Sequence, residues 1–378
     1  MSPLSSSIVA VAIAATFAQA ANAQRDTTPA LKDVFRSAFR IGTALSPRQF
    51  MDRDPREVAI VARQFNTISP ENVLKWEVVH PRPDAYDFGP ADAYVAFGEK
   101  HHMFIVGHTL AWHSQTPRWV FEDSTGKPLT RDALLARLHD HIATVVGRYK
   151  GRVNGWDVVN EALNEDGTMR QSPWLRIIGP DFVAKAFQFA READPNAELY
   201  YNDYSMENAD KRAGCVRLIK SLLDLGIKIT AIGMQDHLKM NWPTIEEEDS
   251  TITAFSALGV HVNITELDVD VLPQASRNRG ADVSMREGPA PSLNPYAAGL
   301  PDSVQRALAM RYADFFKVWL AHRGVIDRIT FWGVTDADSW LNGWPVPGRT
   351  SYPLLFNRQG VPKPAFHAVV DLMKNGAR

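Results

Sequence analysis

The stretch Trp156-Asp157-Val158-Val159-Asn160-Glu161-Ala162-Leu163 begins as an apolar strand and ends on an amide and a carboxylate. Val158 and Val159 suit a pleated, buried environment, whereas Asn160 and Glu161 are costly to bury without partners. A strand that runs apolar and then presents Asn-Glu fits the C-terminal edge of a parallel barrel, where such folds keep their chemistry. Further along, Val262-Asn263-Ile264-Thr265-Glu266-Leu267-Asp268 repeats the pattern and again delivers a carboxylate at a strand end. Two carboxylates placed in this way make glycosidic-bond cleavage the first chemical hypothesis.

Outward from this pair, apolar runs of strand length alternate with longer helical patterns. Strands are expected at 38–44, 65–68, 103–108, 155–160, 198–202, 229–235, 260–266 and 329–333. Between them, Leu134, Leu135, Leu138, Ile142, Val145 and Val146 fall on one face at helical spacing, as do Val304, Leu308, Tyr312, Phe315, Phe316 and Trp319. Thr244-x-x-Glu247 and Asp302-x-x-Gln305 read as capping boxes at helix starts. The acidic run Glu246 to Asp249 then reads as a first helical turn facing the positive end of the helix dipole. Eight strand–helix alternations without a composition break predict an α/β fold, a single (β/α)8 TIM barrel over residues 24–378. The segment 272–301 is long and rich in Gly and Pro. It leaves the strand that carries Glu266, and an ordered wall of the cleft is the expectation for it.

Composition narrows the function classes. With 45% hydrophobic residues the 378-residue chain can bury a large core, and a net charge of −2 gives no electrostatic reason to bind nucleic acid or an anionic membrane. The lone Cys215 excludes an intramolecular disulfide and any multi-cysteine metal site, and its helical surroundings point to inert packing. The apolar run Ile8 to Ala18 is too short to span a bilayer and is followed by Ala21-Asn22-Ala23, so residues 1–23 read as a signal peptide. A secreted or periplasmic protein, free of the membrane after cleavage and acting as a monomer, is expected.

In a barrel of this kind the remaining strand ends should be polar too, and they are. The second strand leads into Ser69-Pro70-Glu71-Asn72-Val73-Leu74-Lys75-Trp76, and the third into Gly107-His108-Thr109-Leu110-Ala111-Trp112-His113-Ser114-Gln115. The fifth gives Asn202-Asp203-Tyr204, the sixth Gln235-Asp236-His237, and the eighth Phe331-Trp332-Gly333 followed by Asp336, Asp338 and Trp340. Any one of these has a structural explanation, and the tryptophans could be core. Together they do not read as packing.

In order and spacing, Glu-Asn-x-x-Lys-Trp, His-Thr-Leu-x-Trp-His, Trp-Asp-x-x-Asn-Glu-Ala and Ile-Thr-Glu-Leu-Asp resemble glycoside hydrolase family 10, the endo-β-1,4-xylanases, over nearly the whole mature chain. The residues alone identify the carboxylate pair but leave its roles open. The resemblance implies Glu161 as acid/base and Glu266 as nucleophile, with Glu266 raising the proton affinity of Glu161. It implies support from His237, with Asp268 fixing its tautomer, and Asn160 bonding the 2-hydroxyl of the cleaved sugar. Glu71, Asn72, Lys75, His108 and Gln235 would bond hydroxyls on the glycone side. Trp112, Trp332 and Trp340 would wall that sugar, and Tyr204 would lie towards the aglycone. Trp340 and Gln115 would exclude a hydroxymethyl group. Asp157 and Asp203 read as structural ligands of polar neighbours. Xylan and xylo-oligosaccharides are the implied partners, and no cofactor or metal is implied. A glucanase or mannanase of related fold is the rival within the class, disfavoured by Glu-Asn-x-x-Lys-Trp. A catalytically inactive xylan-binding barrel is the rival outside it.

Overall fold

β-Branched and aromatic runs form strands that pair only in parallel, and their order is that of a closed ring. The computed structural model describes residues 28–274, 283–284 and 286–375; the expected signal peptide lies outside the described residues. The strands are β1 (Arg40–Leu45), β2 (Thr67–Pro70), β3 (Phe104–Trp112), β4 (Gly155–Asn160), β5 (Glu198–Asp203), β6 (Ala231–Met234), β7 (His237–Lys239), β8 (His261–Asp270) and β9 (Ile326–Phe331). Neighbours run β6-β5-β4-β3-β2-β1-β9-β8, and pairing of β6 with β8 closes the barrel. With helices between the strands on its outside, this is the expected (β/α)8 barrel.

The ninth strand was not expected. The sixth run breaks at Asp236, whose φ of +55° is left-handed and cannot continue a pleated ladder. His237 resumes on the short β7, which pairs only with β8 and sets His237 opposite Asp268. β3 and β8 run past their expected ends, to Trp112 and Asp270, because the polar residues there are buried and paired rather than looped out.

The helices Arg131–Arg148 and Asp302–Ala321 bury the faces expected of them, except that Leu135 and Val304 are only half-buried. The Thr244 capping box forms. The one at Asp302 does not: Pro301 takes the cap position and Asp302 becomes the first helical residue, where its charge still meets the dipole. Glu248 also departs from expectation. It turns inward and is fully buried, accepting from Trp319 Nε1 at 2.7 Å. Inside the barrel, Gly107 lies against the ring of Trp156, where a Cβ would collide with the indole. Cys215 is buried in packing, as expected.

Candidate active site

Register brings the ends of three strands level, with Asn160 opposite both Trp112 and Asn202. β4 ends there, and Glu161 takes a left-handed φ of +57° while its N–H donates to the Asn202 carbonyl at 2.9 Å. Such a conformation is disfavoured for a glutamate and is held only by its surroundings. The turn aims the carboxylate into the barrel mouth. Oε2 accepts from Trp112 Nε1 at 2.8 Å, and Oε1 accepts from Asn160 Nδ2 and Gln235 Nε2, both at 3.0 Å. Burial pushes the Glu161 carboxyl up to about 7, and the Asp203 charge adds to this, partly offset by the Gln235 and Trp112 bonds. Glu266 pushes in the same direction, as expected, but by less than burial or Asp203. Asp203 is itself held by the Tyr201 hydroxyl at 2.6 Å and the Lys211 ammonium at 2.9 Å.

Glu266 lies in the same cleft with the opposite bias. Burial alone would raise its carboxyl, but the His237 contact and the electrostatic influence of the neighbouring His108, His237 and Lys75 outweigh burial and hold it below the usual value. Its Oε1 accepts from Asn202 Nδ2 at 2.8 Å, and the same amide nitrogen reaches Asn160 Oδ1 at 2.8 Å. Thr265 Oγ1 donates to Asn202 Oδ1 at 2.6 Å, which fixes the amide's orientation. Asn202 thus bridges the two carboxylate neighbourhoods, a role absent from the sequence expectations although its position at a strand end was noted.

His237 faces Glu266 Oε2 at 3.4 Å through Nε2 and Asp268 Oδ2 at 3.1 Å through Nδ1. Burial opposes its charge, but the two carboxylates win and raise it to about 9. It is therefore an imidazolium at neutral pH, and Asp268 fixes a charge rather than a neutral tautomer. The Nδ1–H is not aimed well enough to count as a hydrogen bond, so that contact is charge pairing. Asp268 is oriented by Trp340 Nε1 at 2.7 Å.

Glu71, Asn72, Lys75, His108, Trp112, Gln115, Asn160, Gln235, Trp332 and Trp340 all line this cleft with Glu161, Glu266 and His237. Lys75 Nζ donates to Asn72 Oδ1 at 3.0 Å and Gln115 Oε1 at 2.9 Å, and His108 Nδ1 meets Asp157 Oδ2 at 2.9 Å. The core alternative for the three tryptophans is set aside by their position. Tyr204 is the exception. It is buried with its hydroxyl bonded by Arg170 at 2.7 Å and its ring beneath Lys211 Nζ at 3.6 Å, outside the lining of the cleft. The cleft also contains Val283, from the long segment after β8. No sequence signal distinguishes that valine from other loop residues. The flanking described residues of the segment dock on the 343–352 stretch, through Arg286 to the Gly343 carbonyl at 2.8 Å and Asn294 to the Thr350 N–H at 3.0 Å. Residues 275–282 and 285 lie outside the described residues.

A parallel barrel that presents two buried carboxylates of opposed proton affinity in a polar, tryptophan-walled cleft defines a glycoside hydrolase. The model described as Glycosyl hydrolase family 10 matches residues 30–372. Endo-1,4-beta-xylanase A of Xylanibacter ruminicola is 47% identical over 344 residues, covering 91% of this chain and 93% of that one. An endo-1,4-beta-xylanase of Geobacillus stearothermophilus is 40% identical, covering 91% and 98%. The solved structure of a GH10 endoxylanase from a sugarcane soil metagenome superposes with a TM-score of 0.88 at 47% identity, over 90% of this chain and 99% of that one. The chain belongs to glycoside hydrolase family 10.

Proposed function

We propose that the protein is an endo-β-1,4-xylanase that hydrolyses internal bonds of xylan with retention of anomeric configuration. The observation that carries this is the divergence of two carboxyls in one cleft, Glu161 lifted to about 7 and Glu266 held below its usual value. Below about pH 7 the first is largely an acid and the second an anion. In the first step Glu266 attacks the anomeric carbon, the glycosidic bond breaks, and Glu161 gives its proton to the departing oxygen. In the second, Glu161 takes a proton from water, water attacks the same carbon, and Glu266 leaves. Reducing-sugar release from xylan, set beside cellulose and mannan, tests the substrate. The anomer first formed, read by NMR, tests retention: an α-product from a β-xyloside would overturn it. The proposed leader 1–23 and export of a monomeric barrel rest on the sequence pattern, and N-terminal sequencing of exported protein tests them.

The pH profile follows from the same two groups. kcat/KM should fall as pH rises through about 7, because Glu161 loses the proton it must donate. It should fall on the acid side only below the usual carboxylate range, where Glu266 becomes protonated. Asp203→Asn removes a negative neighbour, so Glu161 should ionise more easily and the alkaline limb should move to lower pH. An unmoved alkaline limb in a folded Asp203→Asn variant would count against this origin of the acid.

Xylose and glucose differ only in the hydroxymethyl group, so selectivity must come from walls that leave no room for it. The Trp340 indole is held by its bond to Asp268 and by a stack on Trp344 at 4.4 Å. Gln115 is pinned by Lys75 at 2.9 Å and Glu77 at 2.8 Å. Neither can swing away cheaply. Gln115→Ala and Trp340→Ala should each narrow the xyloside-to-glucoside ratio of kcat/KM by roughly 10–200-fold, mainly by raising activity on glucosides. Kinetics on matched aryl xylobioside and cellobioside, with thermal melts alongside, check this. An unchanged ratio in both variants refutes it.

A further inference from the structure

Behind the cleft, three carboxylates from separate segments converge. Glu207 follows β5, Asp236 separates β6 from β7, and Glu248 lies in the first turn of the helix Ile245–Ser256. Their exposures are 2%, 1% and 0%. One oxygen from each lies within 4.8 Å of the others. Calcium binds oxygen at about 2.3–2.6 Å, so ligand oxygens on opposite sides of one ion stand about 4.6–5.2 Å apart. A single ion of that size can therefore touch all three.

The oxygens are also unspent. Both oxygens of Asp236, with Oε2 of Glu207 and Oε2 of Glu248, are buried without a hydrogen-bond partner. Glu248 Oε1 is engaged by Trp319, and the Glu207 carboxylate also meets a backbone N–H of its own. Asp236 can gain a bond inside the cluster only by sharing a proton with Glu207 or Glu248. The surrounding cations fall short. Arg311 acts on Glu248 and Glu207, but its own donors go to the Lys239 and Pro243 carbonyls. Lys211 faces Glu207 but is paired with Asp203 at 2.9 Å and Glu165 at 3.5 Å. One unpaired cation beside three buried carboxyls leaves the triad short of positive charge.

We infer that Glu207, Asp236 and Glu248 form a structural site for one divalent cation of calcium's size, distinct from the catalytic cleft. Its placement gives it a task. Asp236 stands between Gln235 and His237, which both line the cleft, and its carbonyl accepts from the Asp268 N–H at 3.3 Å. A cation there ties the β6–β7 break to the loop after β5 and to the next helix. It thereby holds Gln235 against Glu161 and His237 against Glu266.

The test uses the full chain, stripped with EDTA, returned to metal-free buffer at neutral pH and titrated calorimetrically with CaCl2. One calcium per chain is expected, with the melting temperature rising by about 4 °C at a hundredfold excess over Kd. Glu207→Gln and Glu248→Gln should each weaken calcium binding at least tenfold and remove the melting shift. If Glu248→Gln does not fold, Glu207→Gln decides. No binding heat together with an unchanged melt after chelation would overturn the site and leave a proton-sharing triad. Calcium binding that survives unchanged in a folded Glu207→Gln variant would place the ion elsewhere and equally overturn it.

Discussion

Glu266→Ala is expected to lower turnover by roughly 10⁵-fold or more while leaving the barrel folded. Neither Glu161 nor Asp268 can replace it as nucleophile. Glu161 is held away by Trp112, Asn160 and Gln235, and Asp268 is turned towards Trp340. The fold should persist because His237 keeps Asp268 as its counter-charge, and Asn202 keeps Asn160 and Thr265. The truncation opens a small space beside the Lys75 and His237 charges, where an anion is welcome. Azide should fill it, attack an activated aryl β-xyloside from the nucleophile's face, and yield the α-azide. Activity near wild type without azide would end the assignment of Glu266.

Glu161→Ala should divide substrates by their leaving groups. A poor leaving group needs the proton that Glu161 supplies, so hydrolysis of xylan should fall by about 10²–10⁴-fold. An activated aryl glycoside needs little such help, so its first step should be nearly preserved. The second step then lacks a base, and the glycosyl-enzyme should accumulate, giving a burst and a low KM. The alkaline limb of the pH profile should vanish with the acid. Alanine inherits the same left-handed backbone as Glu161, so the comparison reads the carboxyl rather than the turn. Equal losses on good and poor leaving groups would argue against Glu161 as the acid.

The parts of this site that the chain displays in its sequence are those set by strand periodicity. β4 lies where its apolar run placed it, at residues 155–160, because both flanks break the pattern sharply. The carboxylate pair followed from that, since a charged residue ending an apolar strand is conspicuous. Features that depend on tertiary partners were hidden. Asp236 looks like any polar strand end, and only its backbone angle shows that the sixth strand stops and restarts. Glu248 resembles its acidic neighbours until the fold turns it towards Trp319. The family resemblance implied Tyr204 towards the aglycone, but Arg170 and Lys211 reach it from other segments. Asp302 lost its capping role to the proline before it, which takes the cap position.

Closure of the barrel through β6 and β8 means that the cleft residues arrive from several strands, most of them braced on both sides. Thermodynamic coupling should therefore be patchy. Gln115 and Trp340, with no bond between them and different strands beneath them, should give double variants whose free-energy effects simply add. Asn160, Glu161, Asn202 and Gln235 share acceptors and donors directly, so their effects should be strongly non-additive. Substrate preference can then be altered one wall at a time, while the bonded quartet around the acid behaves as a single unit of inheritance.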